Sequence, residues 1–277
     1  YINVNSIKIS PFFRDMQELA QALRKTGTEV VLSGKGSFAT GDFNLYAADN
    51  IDNLPEVADR NAINVLWLPM VQGSDDAARL RPFDVVVVKS MAAFGHLKAI
   101  NVRTAYIPDA INIKNPANRR PNGKAMFYGD NRGFSLPLYL AGRADMSVDV
   151  YGKGFENVWP TDEIMPDAPQ PEDFQTYSAV LLDQRDELVS PQVIEVIENG
   201  GLPYLRFNSG IYKIFGEALP MYGNEQEFAA GLRELEQNPA LVQQRRAALH
   251  ETAKQWDSVS QARKFVEIFA IMQQKRR

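Results

Sequence analysis

Two glutamates, Glu187 and Glu195, flank the start of one helix, and their placement is the chain's first chemical signal. An apolar strand, Ala179 to Leu182, leads into the charged run Asp183-Gln-Arg-Asp-Glu. Ser190 is a residue type suited to an N-cap, and Pro191 fits the first helical position. Gly200-Gly201 stops the helix, and a second apolar strand, Leu202 to Phe207, follows. The stretch therefore reads as one βαβ unit. A helix N-terminus carries partial positive charge and free N–H groups, so it suits an anion. Two carboxylates at such a mouth need a reason. A third candidate is His96, which follows the apolar strand Asp84 to Lys89 at the edge where open α/β sheets place ligands. The glycine-rich loop Ser33 to Gly41 lacks P-loop spacing and a following helix, and reads as a surface loop.

Other elements must position these residues. Asn64 to Met70 and Asp84 to Ser90 are continuous apolar strands, as in a sheet covered on both faces. Ile2 to Ile9 and Glu29 to Leu32 read as further strands, with a helix over Pro11 to Lys25 whose Phe12, Met16, Leu19 and Leu23 share a face. Met91 to Ala99 is a short helix, and Thr104 to Asp109 a strand. Ile111 to Gly123 is polar and basic and reads as an interdomain linker. The pattern then repeats: strand Lys124 to Tyr128, helix Phe134 to Ala141, strand Val148 to Tyr151. Trp159 to Pro171 holds four prolines and reads as extended loop. After the βαβ unit come a short strand, Ala218 to Tyr222, and helices over Glu225 to Glu236, Pro239 to Trp256 and Ser260 to Gln274. The expected fold is α/β: two Rossmann-like domains with parallel sheets facing across a cleft, residues 1–109 and 110–277.

Composition narrows the chemistry. The 277 residues are 45% hydrophobic and 23% charged, and suit two globular domains. A net charge of −4 makes no broad case for nucleic acid. There is no cysteine, which excludes disulfides, thiolate metal sites and cysteine nucleophiles. Two histidines do not build a histidine metal site, and no metal is expected. The apolar runs are strand-sized, far short of the roughly 20 residues of a membrane span. The start lacks signal-peptide character, so the expectation is a soluble cytoplasmic protein.

The second half resembles the donor domain of GT-B glycosyltransferases, and within them the spore-maturation (CgeB-like) family related to the group-1 retaining enzymes. Met126-Phe-Tyr-Gly-Asp-Asn-Arg resembles the glycine-ended first strand and basic loop of that domain. Val148-Asp-Val-Tyr-Gly-Lys-Gly-Phe resembles its second strand and turn. Glu187 and Glu195 have the Glu-x7-Glu spacing of many retaining group-1 enzymes. Glu195 to Leu205, followed by Ile214 to Tyr222, resembles the family's course after that motif. Tyr106 to Asn112 resembles its domain junction. Leu188, Val189 and Ser190 stand where the family has glycines.

The resemblance implies a sugar transfer from a nucleotide-diphosphate sugar, with retention and without a metal or other cofactor. It implies that Glu195 accepts the ribose hydroxyls, each charge-assisted bond contributing about 1.5–3 kcal/mol. Ser190 and the helix mouth would receive the diphosphate, with Arg132, Gly129, Tyr151 and Lys153 on the neighbouring donor loops. Glu187 would contact the sugar, and His96 would face it from the first domain. The last helix, about 260–275, would pack back on the first domain. The acceptor is a glycan, a lipid-linked or a protein group. Lys275-Arg276-Arg277 offers a peripheral contact with an anionic membrane face. Plainer readings stay open. Glu187 beside Arg185 and Asp186 is also the pattern of a solvated loop, Arg132 that of a surface arginine, Glu195 that of an exposed helix position, and His96 that of a partly exposed helix histidine. A non-catalytic nucleotide-binding module and a nucleotide-sugar epimerase share the same fold.

Overall fold

A computed structural model describes residues 2–6, 12–33, 42–48, 50–57, 59–68, 76–185 and 188–276. The chain divides into two units. Unit 1 is Tyr1–Ala110 with Trp256–Arg277, and unit 2 is Ile111–Gln255.

Unit 1 contains β1 (Ile2–Ser6), α1 (Phe12–Lys25), β2 (Val30–Ser33), β3 (Phe43–Ala47), β4 (Ile63–Leu68), α2 (Asp76–Leu80), β5 (Val85–Val88), α3 (Met91–Ala99) and β6 (Thr104–Tyr106). The strands form one parallel sheet in the order β2-β1-β3-β4-β5-β6. Every residue of β4 and β5 is buried, because helices cover both faces. Strand periodicity sends alternate side chains to different cores. Val65, Trp67, Val85 and Val87 meet Leu19 and Leu23 of α1, whereas Leu66, Leu68, Val86 and Val88 meet Leu80, Ala93 and Leu97.

Strand β3 is absent from the sequence reading, yet it lies inside the sheet between β1 and β4. Its polar Asn44 breaks the apolar run. That asparagine is buried, and its amide donates to Asn64 Oδ1 at 3.1 Å, across the pair β3–β4. Asn64 in turn donates to the carbonyls of Asp59 and Ala62. A buried amide is tolerated when its hydrogen bonds are made.

Unit 2 contains β7 (Ala125–Tyr128), α4 (Leu136–Arg143), β8 (Val148–Tyr151), α5 (Asp173–Thr176), β9 (Ala179–Leu181), α6 (Pro191–Glu198), β10 (Pro203–Arg206), α7 (Ser209–Phe215), β11 (Met221–Tyr222), α8 (Glu225–Gln237) and α9 (Pro239–Lys254). Its parallel sheet runs β11-β10-β9-β7-β8. α5 and α7 are not among the elements read from the sequence, and two that are begin two or more residues later than expected. The expected strand Ala218 to Tyr222 shrinks to Met221–Tyr222, because a 3-10 turn occupies Gly216–Ala218 and Pro220 has no N–H for a ladder. The expected helix Phe134 to Ala141 starts at Leu136, after Ser135 as N-cap and with Pro137 in its first turn.

The segment 111–123, expected as a linker, is strapped to unit 2. The main-chain N–H of Asn112 donates to Glu198 Oε1 at 2.9 Å, and the Lys114 ammonium pairs with Glu198 Oε2. Lys114 and Asn115 N–H groups both reach the Glu198 carbonyl, at 2.8 and 3.0 Å. Gly200, at φ +75°, lets the strap lie close: a Cβ there would stand 2.6 Å from the Asn115 oxygen.

α10 (Ser258–Arg276) returns to unit 1. Its buried stripe of Ala262, Phe265, Phe269 and Met272 lies in the same core as α1. Phe265 meets Trp67 edge-on at 5.4 Å, and Phe269 meets Phe43 at 5.1 Å. Arg276 Nη2 reaches both carboxylate oxygens of Asp84, at 2.9 and 3.0 Å, so one charge of the basic end is already paired within the unit.

Candidate functional site

Open parallel sheets bind ligands beyond the strand carboxyl ends, where the strand order reverses. In unit 2 that place lies between β7 and β9. The loops after β7 and β8 continue as a ladder past the strands. Gly129 N–H donates to the Tyr151 carbonyl at 3.0 Å, and Asn131 N–H to the Lys153 carbonyl at 2.9 Å. Lys153 N–H donates to Asp130 Oδ1 at 3.1 Å, and the Asn131 amide to the Gly154 carbonyl at 2.6 Å. The loop after β9 is clasped to the same ladder. Arg185 pairs with Asp183 at 2.6 Å and donates to the Phe134 carbonyl.

At this mouth the last residue of β7 meets α6. The Tyr128 hydroxyl donates to Glu195 Oε2 at 2.8 Å. Phe174 braces the Tyr128 ring at 5.3 Å. Glu195 is exposed, so its other oxygen faces solvent-accessible space. Burial, and then the Glu195 hydrogen bond and charge, push the Tyr128 phenol up to about 12. A raised phenol holds its proton in the folded state after the unfolded chain has begun to lose it. The contribution of this pair to stability is thus complete below about pH 10 and lost as pH rises toward 12. Alkaline difference absorbance between the wild type and Tyr128→Phe should show one phenol titrating late, and Glu195→Gln should bring it earlier. A phenol titrating at the ordinary value in the wild type would remove this bond from the solution structure.

The structure places the other sequence candidates as follows. Ser190 caps α6, its Oγ accepting from Val193 N–H at 3.3 Å. Its own N–H donates to Gln184 Oε1 at 3.2 Å. Pro191 has no N–H, and Ile194 N–H goes to the Ser190 carbonyl. The first turn therefore keeps at most the Gln192 N–H for an anion. Arg132 and Lys153 are exposed on the ladder loops, and neither side chain bonds a described residue. Gly129 sits in the ladder, whereas the Tyr151 side chain turns inward, its hydroxyl 3.3 Å from that of Tyr177. Glu187 lies outside the described residues. His96 belongs to unit 1 and rides in the last turn of α3, about 7.5 Å along the axis from Met91. It is half-buried there, the environment of the plainer reading, a helix histidine. Lys89 stands at the carboxyl end of β5. It is buried, paired with Asp109, and 4.8 Å from the ring centre of Trp67. Sequence reasoning missed both Lys89 and Tyr128. An aromatic hydroxyl ending a strand just before a glycine was the available signal for Tyr128. Among the described residues, no group of three or more His, Asp or Glu could hold a metal ion. No helix among them is long and apolar enough to cross a membrane.

The two parallel-sheet units define an α/β protein of the GT-B fold. No family model matches the chain, and no curated protein does. Solved glycosyltransferase structures do match. One is trehalose-6-phosphate from E. coli bound with UDP-2-fluoro glucose, with TM-score 0.64 and 11% identity, covering 96% of this chain and 98% of that one. The O-GlcNAc transferase of Thermobaculum terrenum gives TM-score 0.61 and 11% identity, over 98% of this chain and 67% of that one. TarM gives 0.62 and 11%, over 91% of this chain. The chain spans 60% of the GtfA/B chain and 58% of the TarM chain. At these identities the likeness carries the fold.

Proposed function

We propose that this protein transfers a sugar from a nucleotide-diphosphate sugar to an acceptor hydroxyl, with retention and without a metal. The bond from the anomeric carbon to the diphosphate oxygen breaks, and one to the acceptor oxygen forms. The acceptor proton leaves with the diphosphate. The observation that carries the reading is the exposed Glu195 carboxylate, held by Tyr128 at the switch point of unit 2. One oxygen is fixed by the tyrosine, which orients the group before a ligand arrives. The other is left to accept from a ribose diol. Arg132 and Lys153, on the adjoining loops, supply positive charge for the diphosphate. Glu187 is assigned to the donor sugar and His96 to the sugar-facing side of unit 1, both on the family resemblance alone. Structures of similar fold hold UDP or UDP-2-fluoro glucose, which favours this class of donor.

The test is isothermal titration with UDP, GDP, CMP and dTDP sugars, on the wild type and Glu195→Ala. At least one should bind, and the variant should bind it about tenfold to a hundredfold more weakly, as loss of one or two charged hydrogen bonds requires. No binding by any nucleotide, or unchanged affinity in Glu195→Ala, defeats the donor site. A second reading, nucleotide binding without transfer, is favoured by Leu188, Val189 and Ser190 standing in place of the family's glycines. It predicts binding but no turnover with any acceptor.

A further inference from the structure

A cavity of about 440 Å3 opens in unit 2 beside α4, and neither Tyr128 nor any residue of α6 lines it. Its walls are aromatic. Phe134 and Tyr139 are 54% and 48% exposed, large values for rings of this size. Their centroids stand 5.6 Å apart with the planes inclined by 49°. Trp159 forms part of the lining, its Nε1 tied to the Val148 carbonyl at 3.2 Å and its ring edge close over Gly142. Val158, 64% exposed, completes the rim.

The polar groups are few and specific. Ser135 lines the cavity, and its Oγ is buried without a hydrogen-bond partner among the described residues. It occupies the N-cap of α4 but caps nothing. A buried hydroxyl left so calls for a partner that binds there. The Tyr139 oxygen accepts from Arg143 at 3.4 Å, which leaves its own proton to donate. Arg143 itself pairs with Glu225 at 2.9 Å.

We infer that this cavity binds a neutral pyranose ring, one unit of an oligosaccharide. Each feature selects against another class. The Arg143 charge is balanced by Glu225, so the site has no surplus charge for a phosphate or carboxylate. A hydrocarbon chain leaves the Ser135 and Tyr139 hydroxyls unanswered. A flat heterocycle wants a parallel slot, and Phe134 and Tyr139 are inclined. A sugar ring is puckered, with faces of C–H bonds that carry partial positive charge and rest on the negative face of an aromatic ring. Its hydroxyls both donate and accept, which suits Ser135 and Tyr139 together. The inference rests on the cavity and is independent of what Glu195 binds.

Saturation-transfer NMR on the full chain tests it, with maltotetraose, cellotetraose and chitotetraose as neutral probes, and decanoate and UMP as the rival chemistries. The expected result is transfer to ring protons of at least one tetrasaccharide. Its affinity should fall at least about tenfold in Phe134→Ala and in Tyr139→Ala, as at the centre of an aromatic site. Ser135→Ala should weaken binding without lowering the melting temperature, which a purely structural hydroxyl would not do. Glu195→Ala should leave sugar binding unchanged, so the two sites fail separately. The inference is overturned if no tetrasaccharide receives saturation at millimolar concentration. It is equally overturned if binding survives both aromatic variants, or if only decanoate or UMP binds in a Tyr139-dependent way.

Discussion

Gly152→Ala should lower the stability of unit 2 by about 3 kcal/mol, at the upper end of what one added methyl costs. The new Cβ would stand 1.9 Å from the Gly129 oxygen and 2.7 Å from its carbonyl carbon. Both are main-chain atoms, so no rotamer change relieves the clash. The backbones must separate, and the Gly129–Tyr151 and Asn131–Lys153 hydrogen bonds lie directly in the way. Those bonds hold the loop that follows Tyr128. The damage therefore reaches the Glu195 site: nucleotide affinity should fall together with the urea midpoint. Gly95→Ala is the control. It lies within α3, nothing stands within 4 Å of its Cβ, and alanine should stabilise that helix by about 0.5–1 kcal/mol. A Gly152→Ala protein with an unchanged midpoint would show that the loop ladder does not persist in solution.

The same contrast between local and distant causes explains what could be read from the sequence. β5 was legible because Val85–Val88 is apolar on both faces, which only a covered parallel strand needs. α6 was legible because Ser190, Pro191 and Gly200 are local signals, each acting within a turn. β3 was not, since Asn44 becomes acceptable only when Asn64, 20 residues on, accepts its amide hydrogen bond. The strap 111–123 looked like a linker for the same reason. Its polar groups find Glu198 and Gln175, 57 to 86 positions away. At the site, Glu195 could be singled out, but its partner Tyr128 lies 67 positions earlier, beyond any window of periodicity. The cavity beside α4 left almost no trace, since the helix was expected to begin at Phe134 and so to bury or orient that ring differently.

Phe265→Ala should cost about 3–5 kcal/mol, the range for a large aromatic removed from a closed core. Phe265 has no exposed surface, and its ring meets Trp67 of the buried strand β4. No neighbour can swing in, because Ala262 and Phe269 flank it on the same stripe and are themselves buried. The loss should be confined to unit 1. Trp67 and Trp256 belong to unit 1 and Trp159 to unit 2, so fluorescence follows both. Denaturation of the variant should split into two steps, with the Trp159 signal and nucleotide affinity retained after unit 1 has melted. A loss below about 1 kcal/mol would mean that α10 lies loosely on the sheet. The chain order gives this contact its weight. Unit 2 is inserted between β6 and α10, so the face of the unit 1 sheet that α1 covers is completed only when residues 258–276 arrive. Phe265, Phe269 and the Arg276–Asp84 ion pair close that face at three points along the helix. The last helix is thus part of the first domain's core, and Arg276 at its end is drawn into that role.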